Sequence, residues 1–283
     1  MINLPVPAAV KNHPQIAAGD ISFVWYSEKN NLGKTYVIFN HAAISFVLNG
    51  VKEIYLSAGR EVVTPGVGMF IPAGNSIIAE RSNNHEPYSS LIVFFPTQLA
   101  VDFLNKKPTT DGPAATINPD YILFKRDNYL HQYVKTIQEL ILQQQQISYT
   151  IAKHKLEELL LVLYELYPAE LTALFAVNIN EQQLSLKKVV ENNLLNNLSL
   201  AELAFLANRS LSSFKRDFEK AYGVAPQTYI REKKLEAACH ELGRGKKAAE
   251  LYLPYGYENL SNFNTAFKKK FGVTPSQFNK TAI

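Results

Sequence analysis

The chain has 283 residues, which exceeds one ordinary small domain and suggests about two domains. Hydrophobic residues make up 47% of it and charged residues 19%, a globular composition that excludes a disordered chain. No apolar run reaches the roughly 20 residues that span a bilayer, and the single cysteine, Cys239, excludes an intrachain disulfide and a cysteine-rich metal site.

The formal net charge of +4 is distributed unevenly along the chain. Residues 183–283 carry 16 Lys and Arg against 9 Asp and Glu, a net charge of +7, whereas residues 1–182 carry a net charge of −3. This asymmetry predicts a polyanion-binding module attached to a separate sensing or assembly module. The first residues, Met1-Ile-Asn-Leu-Pro, lack the basic and apolar segments of a signal peptide, so we expect a cytoplasmic protein.

The first hundred residues have the pattern of short β-strands. Residues 36–39 and 44–48 are β-branched and aromatic runs, and Asn49-Gly50 is the strongest short signal for a hairpin. Gly and Pro punctuation continues at roughly the 8–12-residue spacing of a sandwich or barrel. Residues 105–120, rich in Pro, Thr, Asp and Gly, are expected to form a loop.

From Asp127 onwards the apolar period becomes helical. A second helix carries a leucine stripe that is broader than a coiled-coil seam, and Pro168 is expected to end it. The leucine stripe comprises Leu156, Leu159, Leu160, Leu163 and Leu166. Two surfaces are open as its packing partner, the chain's own β-domain and a second subunit. Residues 169–182 are expected to form a linker.

The C-terminal part contains an internal repeat. A shift of 49 residues places residues 210–229 on residues 259–278 with eight identities among roughly twenty positions. In each copy two phenylalanines stand four residues apart, which puts both on one buried helical face. These pairs are Phe214 with Phe218 and Phe263 with Phe267.

The ends of the repeated helix are also recognisable. Ser210 and Asn259 are N-cap residues, whose side chains accept N–H groups at a helix start, while Gly223 and Gly272 suit a left-handed helix end. A short helix precedes each copy, over residues 200–207 and 248–253, and residues 226–242 are expected to form one connecting helix closed by Gly243. This order is typical of a double helix-turn-helix.

These residues resemble the AraC/XylS family of transcription regulators. Ser210-Leu-Ser-Ser-Phe-Lys-Arg-Asp-Phe resembles its first motif, and Gly256-Tyr-Glu-Asn-Leu-Ser-Asn-Phe resembles the start of its second, within a match over about residues 184–280. The resemblance implies seven helices, of which the third and sixth enter successive major-groove segments. The base-facing residues that it implies are Ser212, Lys215, Arg216, Ser261, Asn264 and Thr265. We expect phosphate contacts from Ser210, Lys246, Lys247, Asn259, Lys268 and Lys269.

Three residues depart from the family's second motif. Thr265 stands where Arg is usual, so we expect weaker base readout from the second helix. Pro254 should end the short helix before it early. Ala248 replaces a larger apolar residue, which predicts looser packing of the second helix-turn-helix.

The N-terminal half resembles the cupin-like regulatory domain of the same family, through Phe46-Val-Leu-Asn-Gly, Thr64-Pro-Gly-Val-Gly and Phe70-Ile-Pro-Ala-Gly. Metal-binding cupins carry a histidine where this chain has Asn75-Ser76-Ile77, so we expect no metal and no cofactor. The predicted fold is α+β and multidomain. A cupin-like β-barrel with two following helices, resembling the family's dimerisation segment, occupies residues 1–168. The linker spans residues 169–182, and an all-α double helix-turn-helix domain spans residues 183–283.

The sequence therefore predicts a sequence-specific DNA-binding transcription regulator, an activator controlled by a small molecule through its N-terminal domain. We expect double-stranded DNA and RNA polymerase as partners, a homodimer, and no membrane partner. Control by a partner protein stays open as an alternative. A second alternative, a cupin-type enzyme with an appended nucleic-acid module, would need a metal triad or an acid/base pair in residues 1–100.

Overall fold

The computed structural model describes residues 3–29, 33–83, 86–107, 120–176 and 186–281. The chain divides into two compact units, unit 1 (Met1–Gln183) and unit 2 (Leu184–Ile283). No helix in the described ranges is long and apolar enough to cross a membrane.

Unit 1 is built on two β-sheets. Over the described residues its strands are β1 (Asn3–Val6), β2 (Gln15–Ala18), β3 (Ile21–Glu28), β4 (Lys34–Phe39), β5 (Ala42–Asn49), β6 (Val51–Leu56), β7 (Gly59–Val63), β8 (Val67–Ile71), β9 (Gly74–Arg81), β10 (Tyr88–Phe95) and β11 (Ile122–Lys125). One sheet has the order β1-β4-β9-β6-β7 and the other β11-β8-β5-β10-β3-β2. β1 pairs with β4 in parallel, and the other neighbouring strands pair antiparallel.

The two sheets enclose an apolar interior between them. Side chains alternate between the faces of a strand, so every second residue of each sheet enters this interior. Val24, Val47 and Ile92 enter it from the six-stranded sheet, and Ile54 and Ile78 from the five-stranded sheet. The cupin-like fold is confirmed, as two packed sheets rather than one closed barrel.

Asn49-Gly50 connects the two sheets instead of closing a hairpin. β5 before it belongs to the six-stranded sheet and β6 after it to the five-stranded sheet. Gly50 has a φ of +82°, and a Cβ there would lie 2.3 Å from the carbonyl oxygen of Arg81, so only glycine fits. The hairpin prediction is wrong because turn residues determine the local backbone but not the sheet that the next strand joins.

Helices cover the outer face of the six-stranded sheet. In the described part of unit 1 they are α1 (Thr97–Leu104), α2 (Asn128–Leu142), α3 (Tyr149–Leu166) and α4 (Pro168–Ala176). Four residues of the leucine stripe on α3 are at most 1% exposed in the core under these helices: Leu156, Leu159, Leu160 and Leu163. These four leucines pack on unit 1 itself, so the alternative that they contact a second subunit is wrong.

The segment that the sequence predicts as a linker begins with a helix. Pro168 occupies its first turn, where a missing N–H costs nothing. Leu171 is fully buried, and the ring of Phe175 lies edge-on to Phe70 at 5.4 Å between centroids. Residues 169–176 are therefore part of unit 1, a correction to the predicted linker. Residues 177–182, like most of the predicted loop 105–120, lie outside the described residues.

Unit 2 is helical. Its described residues form α5 (Leu186–Asn193), α6 (Leu200–Leu206), α7 (Leu211–Tyr222), α8 (Pro226–Gly243), α9 (Ala248–Leu251), α10 (Leu260–Phe271) and α11 (Pro275–Thr281). These are the seven helices that the family resemblance implies. α9 ends at Leu251, earlier than the predicted residue 253, which agrees with the expected effect of Pro254. Gly243, which was predicted to close the connecting helix, is the last residue of α8 itself. The left-handed glycine that follows the helix is Gly245, with a φ of +92°.

The burial of the leucine stripe predicts a contrast between two neighbouring leucines. Leu159→Ala removes a fully buried side chain and should lower the free energy of unfolding of unit 1 by about 2–5 kcal/mol. Leu161→Ala, at a position 39% exposed on the same helix, should change it by less than about 0.5 kcal/mol. Denaturant unfolding of both variants measures this. Equal effects of the two substitutions would contradict the observed packing of α3.

Candidate DNA-binding surface

α7 and α10, to which the family resemblance assigns the major-groove contacts and which are called the recognition helices below, are fixed at both ends in the same way. The side chain of Ser210 accepts the N–H of Ser213 at 3.2 Å, and the side chain of Asn259 accepts the N–H of Asn262 at 2.8 Å. Both helices end at a glycine in the left-handed conformation, with φ of +73° and +79°. The predicted caps are confirmed, and each helix therefore starts and ends at an equivalent position.

The phenylalanine pairs anchor the recognition helices. All four rings are fully buried, and in each pair the ring centroids are 5.9 Å apart with the same interplanar angle of 46°. A helix whose i and i+4 residues are buried must present its opposite face to solvent. The exposed residues on that face are Ser212, Lys215 and Arg216 in α7, and Ser261 and Thr265 in α10.

Asn264 differs from the other predicted base-facing residues. It is half-buried, and its side-chain oxygen Oδ1 is buried without a hydrogen-bond partner among the described residues. An asparagine that contacts adenine needs its oxygen to accept from N6 and its nitrogen to donate to N7. In this structure the side chain of Asn264 would have to rotate before it could make that bidentate contact.

A carboxylate positions the guanidinium of Arg216. Arg216 is 76% exposed, and its Nε lies 3.3 Å from Oδ1 of Asp217. The other oxygen of Asp217 lies 3.2 Å from Nε of Arg209. In the second repeat the residue equivalent to Asp217 is Ala266, so only the first recognition helix has this bridge. With Nε held, the terminal N–H groups of Arg216 remain available to a base edge.

The lysines predicted to contact phosphate fall into two groups. Lys247, Lys268 and Lys269 are exposed. Lys246 instead forms an ion pair with Glu241, which raises the pKa of the lysine. The neighbouring Lys270 also turns inward, where Nζ donates to the carbonyl of Glu232 at 3.0 Å and to Glu236 at 2.9 Å, and so joins α10 to α8.

A basic groove lies between the two helix-turn-helix motifs. It has a volume of about 490 Å³, and it is lined by Leu198, Ser199, Leu200, Leu211, Lys215, Gln227, Ile230, Arg231, Lys234, Tyr255, Gly256 and Tyr257. Three of these residues are basic and none is acidic. Arg231 and Lys234 were not predicted from the sequence, because their helix was interpreted only as a connection between the two motifs. Their i, i+3 spacing, which puts both on one side of the helix, is the signal that could have indicated them.

Unit 1 contains a second group of polar residues, which the sequence pattern did not indicate. Lys52 is 2% exposed between the two sheets, where its Nζ lies 3.6 Å from Glu80 and donates to the hydroxyl of Ser45 at 3.1 Å. Burial lowers the pKa of Lys52 and raises the pKa of Glu80, and their mutual attraction opposes both shifts. The hydroxyls of Tyr88 and Ser90 are buried nearby without a hydrogen bond of normal geometry. These five residues form the interior polar cluster.

The described residues contain no group of three His, Cys, Asp or Glu side chains placed to hold a metal ion.

Two family models match the chain, one over each unit. A model described as the ExsA N-terminal regulatory domain matches residues 42–174. A model described as a helix-turn-helix domain matches residues 203–281. The second match includes both recognition helices.

Relatives of known function align with both halves of the chain. The thermoregulatory protein LcrF of Yersinia pestis is 30% identical over 211 residues, which cover 72% of this chain and 77% of LcrF. The virulence regulon transcriptional activator VirF of Yersinia enterocolitica is 29% identical over 214 residues, with the same coverage of 72% and 77%. Among solved structures, an apo variant of ToxT from Vibrio cholerae aligns with 95% of this chain and 100% of its own, at 12% identity and a TM-score of 0.44.

The difference between the two recognition helices predicts unequal roles in base preference. Arg216→Ala should relax the preference at one end of the DNA site by about 1–3 kcal/mol, because a guanidinium can contact O6 and N7 of guanine together. Thr265→Ala should change the preference less, since one hydroxyl has a short reach. Lys268→Ala should weaken binding to all sequences similarly, as loss of a phosphate contact does.

Binding of each variant to a library of randomised sites measures both effects. A larger change in base preference from Thr265→Ala than from Arg216→Ala would contradict the predicted asymmetry.

Proposed function

Since the chain belongs to the AraC/XylS family of DNA-binding transcription regulators, we propose that it is a transcription activator that contacts two successive major-groove segments with α7 and α10. The observation that carries this proposal is the equivalent construction of the two helices. Each has a capped start, a buried phenylalanine pair and an exposed polar face. We assign base contacts to Ser212, Lys215, Arg216, Ser261, Asn264 and Thr265. Phosphate contacts are assigned to Ser210, Asn259, Lys246, Lys247, Lys268 and Lys269.

The charge distribution supports this assignment. A net charge of +7 over residues 183–283 favours association with DNA, whose phosphates attract Lys and Arg whatever the base sequence. Ser210 and Asn259 would contact phosphate through the exposed starts of α7 and α10, where free N–H groups favour an anion. Lys246 would have to leave Glu241 in order to contact DNA, so we rank it below Lys268 and Lys269.

We further propose that unit 1 regulates DNA binding by taking up a small molecule. Support comes from the match of residues 42–174 to a regulatory domain and from the interior polar cluster. The hydroxyls of Tyr88 and Ser90 make no hydrogen bond of normal geometry in their buried site, and a ligand with both donor and acceptor groups would give them well-aligned partners. The alternative is control by a partner protein bound to the surface of unit 1.

RNA polymerase and a second copy of the chain are the further partners that we propose. An activator in the cytoplasm acts through RNA polymerase, which we propose as a protein partner. We also propose a homodimer, because a dimer doubles the DNA segment that the four recognition helices contact. The four buried leucines of the stripe, Leu156, Leu159, Leu160 and Leu163, are not available to that dimer. The large apolar residues that remain exposed on α2 and α3 are Tyr129, Leu142, Tyr149, Ile151, Leu161 and Leu166.

Unit 2 is expected to fold and bind DNA without unit 1. A fragment of residues 183–283 should bind DNA with an affinity that falls steeply with salt, by roughly 10³–10⁵ between 50 and 200 mM if it contacts about 6–10 phosphates. Fluorescence anisotropy at several salt concentrations measures the slope, and circular dichroism checks the fold. A folded fragment without salt-dependent DNA binding would contradict the proposed function.

Native mass spectrometry of the full chain distinguishes the two modes of regulation. A small molecule in unit 1 should appear as one extra mass per chain, unchanged by a metal chelator and lost on denaturation. The variants Ser90→Ala and Tyr88→Phe, which remove these two hydroxyls, should retain less of it. A chain that carries no small molecule and instead co-purifies with one protein in a fixed ratio would favour the alternative.

A further inference from the structure

The cations of the basic groove have no acidic partners within the described residues. Lys215, Arg231 and Lys234 form no ion pair there, in contrast to Lys246 and Lys270, which are paired on the same unit. Arg231 and Lys215 are exposed at the groove. Uncompensated positive charge concentrated in one concave surface attracts an anion.

Lys234 is the most unusual of the three. It is 9% exposed, and its Nζ donates to the side-chain oxygen of Asn197 at 3.1 Å. Burial lowers its pKa, and no neighbouring carboxylate acts against that shift. A buried ammonium whose hydrogen-bond partner is a single neutral acceptor is costly, because no opposite charge offsets its loss of hydration. A phosphate oxygen in the groove would supply the missing charge.

The absence of a side chain at Gly256 leaves space for the hydrogen bond between Lys234 and Asn197. A Cβ at Gly256 would lie 3.2 Å from Nζ of Lys234 and 3.1 Å from Oδ1 of Asn197, and the residue has a φ of +85°. A side chain there would therefore press on the Lys234–Asn197 hydrogen bond as well as strain the backbone. Gly256 lies in the turn before α10, so the second helix-turn-helix leaves this lysine facing the groove.

The groove is continuous with the surface that contacts DNA. Lys215 belongs both to the exposed face of α7 and to the groove lining, and Tyr255 to Tyr257 lead into α10. A DNA strand that passes from the major-groove segment at α7 to the one at α10 has to cross the surface between them. The groove is an open concavity on that surface, which fits a continuous backbone better than an enclosed small anion.

We propose that the groove binds the phosphate backbone of DNA between the two major-groove segments, with Arg231 and Lys234 as its phosphate-binding residues. The inference rests on the proposed function, since it adds a third contact to the same DNA. It also assigns α8 a direct role in binding, beyond connecting the two helix-turn-helix motifs. Contacts there would not depend on base sequence, and they would fix the spacing between the two segments.

The test compares two variants of the full chain that remove the same charge from one helix. Arg231→Gln should lower the affinity for specific and non-specific DNA alike, by roughly eightfold at 0.1 M salt, and should reduce the salt slope by about one unit. Lys233→Gln is the control, because Lys233 does not line the groove and instead pairs with Glu236. It should leave the slope unchanged. Both positions have exposed or half-exposed side chains, so neither variant should unfold.

Uncharged methylphosphonate linkages locate the contact on the DNA. Placed between the two segments, they should weaken binding of the wild-type chain but cost Arg231→Gln much less, because that variant has already lost the contact. Equal losses for both proteins, or equal salt slopes for Arg231→Gln and Lys233→Gln, would overturn the inference and leave the proposed function intact. Absence of any DNA binding by the wild-type chain would instead overturn the proposed function itself.

Discussion

The two buried phenylalanines of each recognition helix anchor that helix in the core of unit 2. Their four-residue spacing determines which face of the helix is buried and therefore which face is presented. The capped start and the left-handed glycine then fix the length of the helix, so a given exposed residue occupies an equivalent place in α7 and α10. Unit 2 thus contains the same capped and anchored helix twice, with different side chains on the exposed face.

Electrostatic pairing separates the basic residues that hold unit 2 together from those that remain for DNA. Lys270 and Arg209 are committed to internal contacts, the first between helices and the second through Asp217. Lys268, Lys269 and Arg231 remain exposed. A count of basic residues therefore overstates the binding surface, because committed cations stabilise the protein by modest amounts and contribute little to a DNA contact.

Sequence periodicity predicted what each segment buries but not what it packs against. The caps and the phenylalanine pairs of unit 2 were predictable from the sequence pattern, because each depends on residues within one turn or one repeat, whereas the number of seven helices was implied by the family resemblance. The leucine stripe was recognised as apolar, yet its partner, the outer face of the six-stranded sheet, is made by strands far away in the sequence. The hairpin prediction at Asn49-Gly50 was wrong for the same reason, because the partner strands of β5 and β6 lie elsewhere in the sequence. Lys52 and Lys234 could not be recognised as buried, since lysine is almost always exposed and only tertiary contacts place it inside.

In the function proposed for this chain, one copy places two recognition helices in successive major-groove segments. Ethylation interference on a bound promoter tests this most directly, because it maps each phosphate that the protein requires. For a single copy of the chain, two clusters of required phosphates are expected on one face of the DNA, about one helical turn of 10–10.5 base pairs apart, with the backbone contact of the basic groove between them. A single cluster, confined to one major-groove segment, would contradict it.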